Sequence, residues 1–363
     1  MDIDVEFRKV CGLSIENFVA IGFCLFAQLW SDPVFYPLVG WHTSVPGLRD
    51  VLTKENVTAF LRAVAADRPR FRNEDAALRP AGAAESRYDF NPLVKYPVID
   101  LGNGKCMAPM RNLVVWRLYT APFYELADVF MEEGAKNPFR AFFGHVFQSY
   151  VGLLLRDAVP SQDIFPELGD NAAGPADWVV RVGSHAIVIE CRTGDFSLSA
   201  KSTGGLALID ADLRKIAVNT IKKLPTKIAA LQQNAQAYGL TGIDTWHALV
   251  VLKEPLLPVA RIRALIDAEL NRPVAYHLLS TGDFEQLMAL HDAVGIHQVL
   301  SDKAAAGEME KDFRTFFHER RKVYEFRRNP LLERTSNEFF AKFGVLTDRA
   351  SSTTSGAGRM ASP

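Results

Sequence analysis

The chain has 363 residues, of which 48% are apolar and 23% are charged, and its formal net charge is −1. A net charge this close to zero excludes a uniformly basic nucleic-acid-binding protein and confines any such surface to a local patch. The four cysteines show neither CxxC nor CxxH spacing, which excludes an encoded zinc site or disulfide framework and favours a cytoplasmic location.

Residues 1–130 are predicted to form a mainly helical N-terminal region, with no obvious chemical constellation. The apolar stretch 18–30 is too short to cross a bilayer and follows residues of mixed charge, so it predicts a buried helix and no membrane association. Residues 53–67 begin with a Thr cap and carry apolar residues at helical spacing. Gly102-Asn103-Gly104 predicts a hairpin turn.

The middle of the chain has a different pattern. A helix is predicted from the Asn137 cap and Pro138, and two apolar strands flank a tight turn at Gly183-Ser184. A helical pattern over 208–239 is expected to break near Pro225. Strands at 246–252 and 274–280 then alternate with helices at 259–270 and 283–293.

This order predicts an α/β fold with a mixed sheet and helices on both of its faces. The predicted core covers residues 131–300. A C-terminal helical extension over 301–348 and a disordered tail over 349–363 complete the predicted organisation.

Two acids stand inside the apolar strands on either side of the Gly183-Ser184 turn. With the turn at that position, Asp177 lies opposite Glu190, and strand alternation directs Arg192 to the same side as Glu190. Carboxylates this close repel each other unless a proton or a cation lies between them. Magnesium, which takes one or two carboxylates and keeps several waters, suits such a pair.

The order Asp, hairpin turn, apolar strand and Glu-x-basic resembles the active site of the PD-(D/E)xK nucleases, the restriction-endonuclease-like superfamily. The resemblance covers about residues 135–285. It implies a restriction-endonuclease-like fold in which Asp177 and Glu190 hold Mg²⁺ or Mn²⁺. Arg192 takes the place of the motif lysine, and Gln148, within FGHVFQSY, takes the place of a glutamate on the first core helix.

Two of these residues depart from the family pattern. Arg192 keeps a positive charge beside the phosphate but is too basic to act as a proton acceptor. Gln148 is able to hydrogen-bond a metal-bound water but brings no negative charge. The function implied is a metal-dependent endonuclease cutting nucleic acid, above all DNA, in defence against foreign DNA. A second copy of the chain or a partner protein is a further expected partner.

Other interpretations stay open. One alternative is a catalytically degenerate module that binds nucleic acid or a partner protein, and another is an unrelated α/β enzyme. Asp177 could cap the beginning of its strand, and Glu190 could take part in a structural ion pair. Gln148 could be an ordinary polar residue, His145 a surface histidine and Cys191 a small buried apolar residue.

Two basic stretches have similar alternatives. Five cations could grip phosphates or form a solvated helix face: Arg214, Lys215, Lys222, Lys223 and Lys227. Residues 316–334 mix arginine with aromatic residues that could stack on bases, although interleaved glutamates favour an ordinary charged helix.

Overall fold

The computed structural model describes residues 1–37, 46–78, 91–130, 137–169, 174–197, 200, 205–256, 259–269, 276–305 and 307–344. The chain divides into two compact units. The first comprises Met1–Ala77, Asn91–Met131 and Leu332–Pro363, and the second comprises Leu78–Phe90 and Glu132–Leu331. The tail predicted for 349–363 lies outside the described residues.

The helices of the described residues are α1 Ile3–Cys11, α2 Ile15–Gln28, α3 Lys54–Val64, α4 Arg68–Leu78, α5 Arg111–Val129, α6 Pro138–Ala158, α7 Leu206–Leu213, α8 Asn219–Ile221, α9 Leu224–Gln233, α10 Val259–Glu269, α11 Thr281–Ala289, α12 Ile296–Ala304, α13 Phe313–Glu319 and α14 Pro330–Lys342. The strands are β1 Val34–Phe35, β2 Ala65–Ala66, β3 Val98–Gly102, β4 Lys105–Met107, β5 Ile164–Leu168, β6 Ala176–Val182, β7 His185–Arg192, β8 Thr245–Leu252 and β9 Tyr276–Ser280.

The first unit combines helices with a small mixed sheet of order β1-β4-β3-β2. Thr53 caps α3 by accepting a hydrogen bond from the backbone N–H of Asn56, as its sequence pattern predicts. The predicted hairpin is present, since β3 and β4 pair antiparallel around Asn103. The other two strands of this sheet have two residues each, too short for a periodic sequence signal.

The apolar stretch near the N-terminus forms α2, and its residues Phe18, Ile21 and Leu25 are buried. Among the described residues, no single helix has the length and apolar character needed to cross a membrane. The pair α1 and α2, bent by 59°, meets that criterion only when the two helices are taken together, by length and composition.

The second unit contains a five-stranded mixed sheet of order β5-β6-β7-β8-β9. Strands β5, β6 and β7 pair antiparallel, whereas β7, β8 and β9 pair parallel. The turn between β6 and β7 falls at Gly183, whose φ of 59° suits glycine. Trp178 therefore faces Ile189 and Val182 faces His185, which is the predicted register.

Apolar side chains cover both faces of this sheet. One core cluster joins α6, α11, α12 and α13 to alternate residues of the strands, including Trp178 and Ile189. The other joins α7 to α10 to the intervening residues, including Val179 and Val188. The predicted mixed sheet with helices on both faces is confirmed.

The helical pattern over 208–239 is interrupted, as predicted. A single π turn at Arg214–Val218 separates α7 from α8, and α9 begins afresh at Leu224 with Pro225 in its first turn. Proline is tolerated there because its missing N–H would have no partner inside the helix. After the break, Lys227 of α9 contacts Pro175, just before β6, and Glu190 near the end of β7.

Candidate active site

Asp177 lies where the pairing of β6 with β7 ends. The last backbone pair of the hairpin is Trp178 with Ile189, and one residue further the Asp177 Oδ2 accepts a hydrogen bond of 2.7 Å from the Cys191 N–H. A side-chain oxygen thus replaces the backbone acceptor that a longer ladder would supply. This bond holds the Asp177 carboxylate against the strand that carries Glu190.

Glu190 is buried, with a side-chain exposure of 2%. Each of its oxygens meets a cation: Oε1 accepts from the Lys227 Nζ, and Oε2 accepts from the Arg192 guanidinium at 3.0 Å. A buried carboxylate is tolerated when it is paired in this way. The two cationic partners therefore explain how an acid is accommodated inside an otherwise apolar strand.

The electrostatics of Glu190 reflect this position. Burial raises the pKa of its carboxyl above the ordinary value, and the hydrogen bond from Lys227 opposes that rise. The charge of Asp177 also raises the Glu190 pKa, so the two acids interact electrostatically. A cation placed between them would relieve this repulsion.

Lys227 is the residue of this cluster to which the sequence assigned no specific role. It is buried in α9 beside Leu224, Ile228 and Leu231. Its ammonium also donates to the Pro175 carbonyl at 2.8 Å, just before β6. The positions 224, 227, 228 and 231 form one helix face. A lysine on this otherwise apolar face is the sequence signal from which the buried position of Lys227 could have been predicted.

Arg192 has an intermediate position, with 36% of its side chain exposed. Its Nε donates to the Thr220 Oγ1 at 2.7 Å, and its guanidinium also reaches Glu190 and the Cys191 carbonyl. These bonds fix the side chain while leaving part of it open to solvent. Asp177, Glu190, Arg192 and Lys227 together are called the acid–base cluster below.

Gln148 belongs to α6, which packs through Phe147 and Val151 on the sheet face that bears Trp178. The acid–base cluster lies on the other face, where Val188 and α9 pack. In the described part of the chain, the side chain of Gln148 makes no hydrogen bond to either acid, and the backbone carbonyl of Gln148 accepts from the Trp178 indole N–H at 3.1 Å. A catalytic role for Gln148 stays a prediction of the resemblance alone.

Two residues beside these have simpler surroundings. His145 is exposed on α6, in agreement with the surface interpretation. Cys191 is buried in the core, where its thiol pKa is raised by burial. It contributes its backbone N–H to Asp177 and its side chain to packing.

The five cations of the 214–227 segment do not act as one set. Arg214 and Lys222 both pair with Glu269 of α10, at 2.9 and 2.8 Å, while Lys227 is buried on Glu190. Within the 316–334 segment, Phe316, Phe317 and Tyr324 are at most 2% exposed. Buried rings cannot stack on nucleotide bases, so these three aromatic residues contribute core packing.

The donor set fits one magnesium ion with few protein ligands. Among the described residues, no group of three His, Cys, Asp or Glu side chains could hold a metal. Asp177 and Glu190 are two carboxylates from adjacent strands, and magnesium needs no more than one or two of them. The Asp177 Oδ1 has no hydrogen bond within the described residues, whereas both Glu190 oxygens would be shared with Lys227 and Arg192.

Comparison with known proteins assigns no family to the chain. No protein-family model and no curated protein matches the chain. Among solved structures, the chain is similar to the small subunit of the heterodimeric restriction endonuclease R.BspD6I. The two are 15% identical with a TM-score of 0.29, over 54% of this chain and 97% of the other. A TM-score of this size does not establish a shared fold.

Proposed function

We propose that this protein is a metal-dependent nuclease that hydrolyses phosphodiester bonds of nucleic acid, most of all DNA, with Mg²⁺ or Mn²⁺. The observation that supports the proposal is the acid–base cluster, in which two carboxylates from paired strands lie beside Arg192 and Lys227. The proposal includes a restriction-endonuclease-like arrangement of the second unit.

Each residue of the acid–base cluster has a distinct part in this proposal. Asp177 and Glu190 would hold the metal ion, which supplies Lewis acidity and an activated water when bound. Arg192 offers a partly exposed guanidinium, whose planar fork suits a phosphate and stabilises its developing negative charge. Lys227 positions Glu190 through its ion pair and opposes the rise of its pKa that burial causes.

A second candidate function follows from the same contacts. Two acids and two cations cancel in charge, and both Glu190 oxygens already have cationic partners. A cluster neutralised in this way is able to persist as a structural network without metal. The alternative is therefore a catalytically degenerate module that binds nucleic acid or a partner protein.

Cleavage of supercoiled plasmid DNA by the purified full chain separates the two candidates. The nuclease proposal expects nicking or linearisation with Mg²⁺ or Mn²⁺ and none in chelator. Asp177→Asn and Glu190→Gln should abolish cutting, since each removes a charged metal ligand while keeping the side-chain shape. Asp163→Asn is the matched control, because Asp163 pairs with Arg181 outside the acid–base cluster.

Arg192 gives the sharper probe. Arg192→Ala is expected to slow cleavage by about 100-fold or more, the usual loss when a charge-stabilising donor is removed. Arg192→Lys should retain or raise activity, since the positive charge stays. The degenerate-module alternative predicts instead that the wild type cuts nothing and that nucleic-acid binding survives in chelator. Cutting that persists in both acid variants would contradict the assignment.

A further inference from the structure

A cavity of about 170 Å³ lies beside β9, the edge strand of the five-stranded sheet as described. All five residues of this strand line it, together with Arg263 of α10 and residues of the 303–314 segment. The edge of a sheet carries backbone groups that are not used in strand pairing. The cavity therefore has polar backbone on one side and side chains on the other.

His277 is the first feature of the lining that favours a ligand-binding site. It is 2% exposed, and neither ring nitrogen has a hydrogen-bond partner. Burial, His247, Lys303 and Arg263 lower its pKa to about 3, so the ring is neutral at physiological pH. A buried polar group without a partner is rare in proteins because it loses its hydration and gains nothing in return.

Lys303 is the second such feature. It is also 2% exposed, and its ammonium donates to the Glu308 backbone carbonyl. Within the described residues, no carboxylate lies in ion-pair distance of it. Burial and the charge of Arg263 lower the Lys303 pKa to about 8, and the more distant charges of Glu308 and Asp312 only partly oppose this shift. A buried cation without an anion is costly, so this site is short of negative charge.

The other charges of the cavity lining strengthen this imbalance. Arg263 makes no ion pair within the described part of the chain, and Arg314 adds a further cation, whereas Lys311 already pairs with Glu308 and Glu319. The two lining acids serve helix caps: Asp283 accepts from the Ser280 N–H and hydroxyl, and Asp312 accepts from the Thr315 N–H. Cations thus outnumber acids, and the acids already have partners.

We propose that this cavity binds a phosphate group. Lys303, Arg263 and His277 provide the donors, and the volume is below the roughly 300 Å³ at which pockets begin to enclose drug-sized ligands. The group could belong to a free phosphate ion or to the terminal phosphate of a nucleic acid. The proposal holds whether or not the acid–base cluster cuts DNA.

The sheet register places the two sites at one end of the sheet. Arg192 lies opposite Leu252, and Leu252 lies opposite Ser280, which lines the cavity. Two strand spacings separate Arg192 from Ser280, about 10 Å. The carboxyl ends of parallel strands are where ligands commonly bind in α/β sheets.

Titration of inorganic phosphate into the full chain, in a phosphate-free buffer held at constant ionic strength, tests the proposal. Saturable heat of binding and a rise of the thermal midpoint with phosphate are expected, while added sodium chloride should give neither. Lys303→Met and Arg263→Gln should each weaken binding by more than about tenfold, because each removes a charged hydrogen-bond donor. Lys322→Met, an exposed lysine outside the cavity, is the matched control and should bind as the wild type does.

Two oligonucleotides of one sequence, with a 5′-phosphate or a 5′-hydroxyl, identify the source of the phosphate when tested in chelator. Tighter binding of the 5′-phosphate form that is lost in Arg263→Gln assigns the cavity to nucleic-acid ends. Equal binding of the two, together with phosphate binding, assigns it to a free anion. Absence of saturable phosphate binding, or binding that survives both Lys303→Met and Arg263→Gln, would overturn the proposal.

Discussion

Lys227 and Lys303 are both buried lysines of the second unit, and their surroundings differ in what compensates the charge. Lys227 meets the Glu190 carboxylate and the Pro175 carbonyl, so it is part of a closed network of opposite charges. Lys303 meets a backbone carbonyl and two aromatic rings, 5.4 and 5.8 Å from its ammonium. The charge of Lys227 is therefore compensated within the folded chain, whereas we propose that a ligand compensates the charge of Lys303.

Removal of charge should therefore have opposite consequences at the two positions. Lys227→Met leaves Glu190 buried with Arg192 as its remaining cation, and we expect a loss of about 3 to 5 kcal/mol in the free energy of unfolding. Urea denaturation measures it. Lys222→Met, an exposed lysine paired with Glu269, is the matched control and should change stability by less than about 1 kcal/mol. A Lys227→Met chain as stable as this control would contradict the network.

Acid pH should act on two buried histidines, His277 of the cavity lining and its neighbour His247. Burial lowers the pKa of His247 to about 4 and that of His277 to about 3, both from 6.5. Because the unfolded chain binds protons first, the stabilising effect of each histidine is lost as pH falls below about 6.5. The raised pKa of Glu190 acts in the opposite direction, since its protonation on acidification favours the folded state.

The contribution of His247 is about 3 kcal/mol between pH 7 and pH 4. His247→Gln should remove most of this contribution to the pH dependence of stability, measured as the difference in the free energy of unfolding in urea between the two pH values. His145→Gln, which changes an exposed histidine of α6, should leave this pH dependence unchanged. An equal pH dependence of the free energy of unfolding in His247→Gln and the wild type would show that His247 is not held neutral in the folded state.

The smallest expected effect is at Lys303. Lys303→Met removes a buried cation that has no carboxylate partner among the described residues, at the loss of one hydrogen bond to a carbonyl. In phosphate-free buffer we expect unfolding to become more costly by about 1 kcal/mol. Thermal and urea unfolding both report it. Destabilisation as large as that of Lys227→Met would mean that Lys303 is compensated within the chain.

Local sequence signals predicted the hairpin well. A Gly-Ser turn between two apolar strands fixes the register, because the side-chain period of a strand is two. The caps at Thr53 and Asn137 were readable for the same reason, since each acts within three residues. Strand β5 was missed because it contains Pro166 and Glu167, the latter with a φ of 47°, which only an edge strand tolerates readily.

The rest depended on contacts between distant residues. Lys227 reaches Glu190 across 37 positions and a helix break, and no periodicity encodes that pairing. The cavity joins β9 to the 303–314 segment, which the sequence assigned to a separate helical extension. Gln148 is a different case. The resemblance of FGHVFQSY to a family motif predicts a role for Gln148, but it does not determine which face of the sheet the helix covers.

Binding of Mn²⁺ to the full chain, followed by the electron paramagnetic resonance signal of the free ion, tests directly whether Asp177 and Glu190 act together on a metal. We expect one saturable Mn²⁺ site in the wild type, with affinity weakened at least about tenfold by Asp177→Asn or Glu190→Gln, since each removes a carboxylate ligand. Asp163→Asn should bind as the wild type does. Absence of binding, or binding that all three variants retain, would contradict a metal-dependent site.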